Sequence, residues 1–153
     1  MERFVIEGGY PLKGTVDIGG FKNAAVAIIP AAILAGELCT IENLPDIKDV
    51  HILGEMLQQL GAEIFFDPGS GAMQVDCSKL KGCTAPYEMA GKLRASYYLL
   101  GASLGRFKKA SVAYPGGCDI GTRPIDQHIK GFKALGAKVK IEHGMIFVEA
   151  QEL

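Results

Sequence analysis

The chain has 153 residues, 48% of them hydrophobic and 22% charged, a composition that suits one globular body with a real core. With 16 basic against 17 acidic residues the formal charge is −1, which argues against general nucleic-acid or membrane-surface binding and leaves room for a local anion site. No apolar run is long enough to span a bilayer, and Met1-Glu2-Arg3-Phe4 lacks the apolar core of a signal peptide, so a cytoplasmic protein is expected.

In chain order, Phe4–Glu7 and Gly14–Ile18 read as short strands. Lys22–Ala35 reads as an apolar helix that Pro30 interrupts and bends. Cys39–Glu42 is a strand. Asp46–Leu60 is an amphipathic helix with Asp46 as its cap and Gly61 as its stop. Ala62–Phe66 and Met73–Asp76 form a hairpin across Asp67-Pro68-Gly69-Ser70-Gly71. The pattern then recurs. Tyr87–Leu104 is helical, Ala110–Ala113 is a strand, and a Gly-rich loop runs from Tyr114 to Pro124. Arg123–Leu135 is a helix ended by Gly136, and Ala137–Glu142 pairs with Met145–Glu149 across His143-Gly144.

Two segments share Leu-Gly-Ala: Leu60–Phe66 (LGAEIFF) and Leu135–Ile141 (LGAKVKI). Upstream, Ile33–Pro45 parallels Ser103–Pro115. Alternation alone is a property of any α/β chain, but the shared tripeptide points to an internal repeat of helix–strand–helix–hairpin units. The expected class is therefore α/β, with βαβαββ-like units packed into one body.

Four cysteines occur: Cys39, Cys77, Cys83 and Cys118. They form no C-x-x-C pair and no zinc-spaced cluster. In a reducing compartment the default is free thiols, and Cys39, Cys77 and Cys83 read as core packing. Cys118 stands apart, in the loop YPGGCDIGTRP. Gly116, Gly117 and Gly121 leave backbone N–H groups free to line an anion site. Pro124 opens the next helix, whose start adds partial positive charge. Arg123 adds a full charge and a planar fork suited to phosphate or carboxylate. That setting favours a thiolate. The plainer alternative is a tight turn with an inert cysteine. Cys118 and Arg123 stand one residue too close for the C-x5-R cradle of cysteine phosphatases.

Two further constellations stand out. In GGFKNAA, Gly19 to Ala25, two glycines precede Lys22 and Asn23 at a helix start, where a lysine adds a point charge to an anion site. Many solvated helix starts look the same. In KLRASYYLLG, Lys92 to Gly101, Arg94 lies in an otherwise apolar helix. It is either partnered and buried or a snorkelling surface arginine.

Together these motifs, with PGGCDIGTRPIDQHIKG, resemble the UDP-N-acetylglucosamine 1-carboxyvinyltransferases, a branch of the enolpyruvyl transferase family, from about Phe4 to the end. RPIDQHIKGF and LRASYYLLGASLGRFK resemble the second isoform of Gram-positive bacteria. The resemblance implies transfer of enolpyruvate from phosphoenolpyruvate to the 3′-hydroxyl of UDP-N-acetylglucosamine with release of phosphate. It implies addition and elimination without metal or cofactor, as the committed step of peptidoglycan synthesis, hence of cell-wall biogenesis, cell shape and cell division. Cys118 would protonate the methylene carbon, carry a covalent phosphoenolpyruvate adduct, and be the thiol alkylated by fosfomycin. Whether this thiol acts as nucleophile or acid is left open by the residues alone. Lys22 and Asn23 match residues that contact phosphoenolpyruvate and the sugar nucleotide. Arg94 matches a nucleotide-site arginine. Arg123, Pro124, Ile125, Asp126 and Gln127 match the segment holding the UDP portion, with Arg123 also near the phosphoenolpyruvate phosphate. His128 takes the place of a family histidine near this site.

Two departures accompany the resemblance. Phe21 replaces a usually small residue directly before Lys22. The chain also stops after two repeats, whereas family members have two lobes of three repeats each. Residues 1–20 would belong to the other lobe, and residues 21–153 would be two repeats of the catalytic lobe. The unpaired strand edges would then favour self-association, and the partners are small-molecule substrates rather than nucleic acid or membrane. The general-base aspartate and the arginine for the phosphoenolpyruvate carboxylate would lie beyond Leu153, so the isolated chain is expected to be inactive. A stand-alone UDP-sugar or phosphoenolpyruvate-binding half-lobe is the alternative. A relative acting on shikimate 3-phosphate is disfavoured by the cysteine loop, and the catalytic histidine signature of RNA 3′-phosphate cyclases is not evident.

Overall fold

A computed structural model describes residues 3–82, 84, 93–114 and 124–153. The first unit comprises α1 (Lys22–Ala35), β1 (Leu38–Ile41), α2 (Lys48–Gln59), β2 (Glu63–Asp67) and β3 (Ala72–Asp76). The second comprises a short 3-10 turn (Arg94–Tyr97) leading into α3 (Tyr98–Phe107), then β4 (Lys109–Ala113), α4 (Asp126–Ala134), β5 (Lys138–Glu142) and β6 (Met145–Glu149). The part of the expected Tyr87–Leu104 helix before Leu93 lies outside the described residues, as does Cys83.

Each unit builds the same antiparallel three-stranded sheet, with the last strand in the middle: β1-β3-β2 and β4-β6-β5. The registers match as well. Asp76 at the end of β3 faces Leu38 and Glu63, and Glu149 at the end of β6 faces Lys109 and Lys138. Alternation sends Met73 and Val75, and in the second sheet Ile146 and Val148, into the core. Phe65 and Phe147 point outward from the opposite faces.

Leu-Gly-Ala recurs because it closes a helix. The Ala62 N–H donates to the Leu57 carbonyl and the Gly61 N–H to the Gln58 carbonyl. The Ala137 N–H donates to Phe132 and the Gly136 N–H to Lys133 in the same way. These are two Schellman motifs. Gly61 and Gly136 adopt φ of 102° and 92°, which a side chain would resist. Ala62 and Ala137 are both buried beneath the caps.

The units meet through their helices. α1 packs against α3, α2 and its own sheet. Arg106, near the end of α3, crosses the junction: its Nη1 donates to the Ile33 carbonyl of α1 (3.0 Å) and to the Cys77 carbonyl after β3 (2.8 Å). Its guanidinium also lies over the Phe107 ring, 4.9 Å from the centroid.

Four expectations need correction. Pro30 does not interrupt α1, which runs through it with Pro30 buried; packing on two neighbouring helices outweighs one missing N–H. Asp46 is not the cap of α2. Ile47 holds that position, and the Asp46 carboxylate instead meets His51 Nε2 at 2.6 Å. The last helix begins at Asp126 rather than Arg123, after Ile125, whose side chain is buried. Phe4–Glu7 and Gly14–Ile18 are not strands here. Residues 3–20 carry no strand, and Phe4, Leu12 and Ile18 are almost fully exposed. A strand needs a neighbouring backbone to pair with, and no pairing of these residues with another strand is formed among the described residues.

Arg106 ties both units through charge-assisted hydrogen bonds, each of which typically contributes about 1.5–3 kcal/mol. Arg106→Met is expected to lower the unfolding free energy by about 2–3 kcal/mol, measured as a reduced urea midpoint at unchanged slope.

Candidate functional site

Lys22 is the first residue of α1, and Phe21 caps that helix through its backbone alone. The Phe21 carbonyl accepts from the Ala24 and Ala25 N–H groups, while its ring stays largely exposed. The Gly19-Gly20 pair has a local reason. A Cβ at Gly20 would fall 1.8 Å from the Asn43 carbonyl oxygen, so only glycine lets the chain pass there. This close approach joins the start of α1 to the loop leading into α2. At the same junction Lys22 Nζ lies 2.6 Å from Asp49 Oδ2. Asn23 is exposed beside it.

In the second unit, the 3-10 turn carries Arg94 and Tyr97, and α4 carries Asp126, Gln127 and His128. Aromatic contacts bring these elements together. The His128 ring meets Tyr97 edge-on at 4.7 Å and Tyr98 at 6.4 Å, and the two tyrosines pack at 4.6 Å. Burial and the hydrogen bond with Tyr98 hold the Tyr97 phenol above its usual range, against the pull of the Arg94 guanidinium. Tyr97 is therefore a neutral hydroxyl at physiological pH. Gln127 Nε2 donates to Asp126 Oδ2 at 3.2 Å. Ile125 anchors the start of α4 in the core, and Pro124 precedes it at the surface.

The structure thus brings the sequence-predicted Arg94 turn and the Pro124–His128 segment into one neighbourhood. Lys22 and Asn23 sit at a second place, the junction of α1 and α2. Cys118 and Arg123 lie outside the described residues. Sequence reasoning missed Asp49 and Tyr97 as neighbours of site residues. The sequence reading singled out neither residue: Asp49 lies inside the 46–60 helix and Tyr97 inside KLRASYYLLG. A carboxylate in the first turn of a helix was the available signal for the former. A cavity of about 630 Å³ lies elsewhere, between Leu60, Lys81, Thr84, Ser111, Phe147 and Glu149. It contains none of the predicted site residues and is an open recess on the outer face of the second sheet.

A family model described as EPSP synthase (3-phosphoshikimate 1-carboxyvinyltransferase) matches residues 6–152. The chain belongs to the EPSP synthase family. Within it, a protein of Clostridium botulinum named UDP-N-acetylglucosamine 1-carboxyvinyltransferase is 56% identical over the whole chain. UDP-N-acetylglucosamine 1-carboxyvinyltransferase 2 of Bacillus subtilis and 1-carboxyvinyltransferase 3 of Caldanaerobacter subterraneus are each 52% identical, again over all of it. The chain covers 37%, 35% and 36% of these relatives, so it spans about a third of their length. The crystal structure of the enolpyruvyl transferase NikO from Streptomyces tendae superposes with a TM-score of 0.78 at 29% identity, covering 95% of this chain and 32% of that one. The fold is that of an enolpyruvyl transferase, and the relatives are transferases.

Among the described residues no group of three or more His, Cys, Asp or Glu is placed to hold a metal ion, and no helix is long and apolar enough to cross a membrane. The described thiols of this family member are Cys39 and Cys77. Burial pushes the Cys77 thiol from its ordinary 9.0 up to about 11, against the opposing pull of Arg106. Cys77 is thus an inert core thiol.

The sign of its pH effect follows from linkage. The native state keeps its thiol proton to higher pH than the unfolded chain, so the stabilisation is complete below about pH 9 and is lost as pH rises through about 11. Unfolding free energies measured between those values should fall more steeply for the natural protein than for Cys77→Ala.

Proposed function

We propose that this chain forms part of an enzyme that transfers the enolpyruvyl group of phosphoenolpyruvate to the 3′-hydroxyl of UDP-N-acetylglucosamine. The observation that carries this reading is the 52–56% identity, over the whole chain, to relatives bearing that enzyme's name. In this reading residues 21–153 are two of the three repeats of one lobe, and residues 1–20 belong to the other. The exposed Ile28 and Leu34 on otherwise apolar α1 support it, since a helix apolar on all sides calls for cover on all sides.

The chemistry divides among few groups. The sugar hydroxyl gives up its proton to the general-base aspartate and adds to C2 of phosphoenolpyruvate, while Cys118 delivers a proton to the methylene carbon, C3. The resulting tetrahedral intermediate then loses phosphate from C2 and a proton from C3, which restores the double bond. Lys22, with Arg123, holds the phosphate, and Asn23 contacts both substrates. Arg94 and Pro124–Gln127 hold the UDP portion, and His128 borders it. The contact of His128 with Tyr97 supports this assignment, because it gives the Arg94 turn and the Pro124–Gln127 segment a common anchor. The general-base aspartate and the arginine for the substrate carboxylate belong to sequence beyond Leu153. The enzyme works in the cytoplasm at the committed step of peptidoglycan synthesis and is the target of fosfomycin.

Phosphate release from phosphoenolpyruvate tests the reading, using the enzyme expressed from its complete reading frame. Release should require UDP-N-acetylglucosamine, vanish in Cys118→Ala, and be undetectable for the 153-residue chain alone. Nucleotide binding without release would instead mark a ligand-holding relative. In the same assay Phe21→Ala should lower the KM for phosphoenolpyruvate about two- to fivefold, a gain of roughly 0.4–1 kcal/mol from a less crowded approach to Lys22. An unchanged KM would show that the exposed ring leaves the site alone.

A further inference from the structure

We propose that Asp49 positions Lys22 for anion binding, an inference that rests on the reading of Lys22 as a phosphoenolpyruvate ligand. Lys22 heads α1 with a side chain 56% exposed, and its flexible stem gives the ammonium no fixed place of its own. Asp49 is the better-anchored partner. Its side chain is 24% exposed and sits in the first turn of α2, where the helix N-terminus favours a carboxylate. The two meet at 2.6 Å.

An isolated surface ion pair contributes little. Two features distinguish this one. The first is the backbone beneath it. Gly20 passes so near the Asn43 carbonyl that no side chain fits, and Leu44 N–H is bonded to the Gly71 carbonyl at 2.8 Å. The frame that holds Lys22 opposite Asp49 is therefore built from main chain. The second is what surrounds the ammonium. The first turn of α1 contains no acidic residue, and no side chain caps it. The Ala24 and Ala25 N–H groups are bonded to the Phe21 carbonyl, which leaves the Lys22 and Asn23 N–H groups to face an anion. An ammonium has three donors and no acceptor. Asp49 takes one and fixes the direction of the other two. In this arrangement Asp49 touches no substrate and acts through Lys22.

A double-mutant cycle tests this in the enzyme expressed from its complete reading frame. Asp49→Ala should raise the KM for phosphoenolpyruvate about tenfold and change the KM for UDP-N-acetylglucosamine by less than twofold. In a Lys22→Ala background the same change should have no further effect, because the group it positions is gone. Asp49→Asn keeps an acceptor oxygen at the same place and should recover the KM to within about threefold. Equal losses with and without Lys22, an unchanged KM in Asp49→Ala, or a loss shared by both substrates together with a lower melting temperature would overturn the inference alone. Wild-type enzyme without phosphate release, or release indifferent to Lys22→Ala, would overturn the reading of Lys22 and this inference with it.

Discussion

Helix α1 carries apolar side chains around nearly its whole circumference, with Lys22 and Asn23 as its polar start. Such a helix gains stability only by being covered on more than one side. α2 from its own unit and α3 from the other supply that cover. Ile29 and Ile33 become fully buried between them. Much else follows from this placement. With α1 central, each sheet can turn one face to the helices and one to solvent. The polar start of α1, Lys22 and Asn23, is left exposed.

Arg106 complements that apolar contact with a directional one. Apolar surfaces slide against each other at small cost, whereas two hydrogen bonds from one guanidinium nitrogen fix a relative position. One acceptor is in α1 and the other follows β3. The clasp therefore sets where the second unit sits on the first. The same guanidinium partly offsets the burial of the Cys77 thiol, which nonetheless stays protonated.

The two units share more than their element order. Each ends its second helix with the same Schellman hydrogen bonds and places its third strand between the first two. They differ in the side chains they display. The first unit presents a lysine paired with a carboxylate beside the close approach of Gly20 to Asn43. The second presents two tyrosines and a histidine held by ring contacts, with Arg94 in the same turn as Tyr97. A repeated scaffold thus carries two different sets of surface side chains, an ion pair on one unit and a cluster of rings on the other. Fold and family alone leave the substrate open, since the family description names one substrate and the similar relatives another.

The sequence by itself determined the elements whose cause is local. The hydrophobic periods of α2 and of both hairpins, and the Leu-Gly-Ala stops, were legible because helix caps and turns depend on neighbours a few residues away. Lys22 and Arg94 could be singled out from their neighbours, and the family resemblance could be read from their motifs. Features set by distant partners were not legible. Asp46 looked like a cap until His51, exposed beside it, took its carboxylate. The stretches Phe4–Glu7 and Gly14–Ile18 had the composition of strands, yet strand formation depends on a pairing partner, which composition does not contain. The pairing of Lys22 with Asp49, the ring contact of Tyr97 with His128, and the Arg106 clasp each join residues from separate elements. Only the packing of α1 against α2 and α3, and of each sheet on its helices, decided which of those side chains would meet.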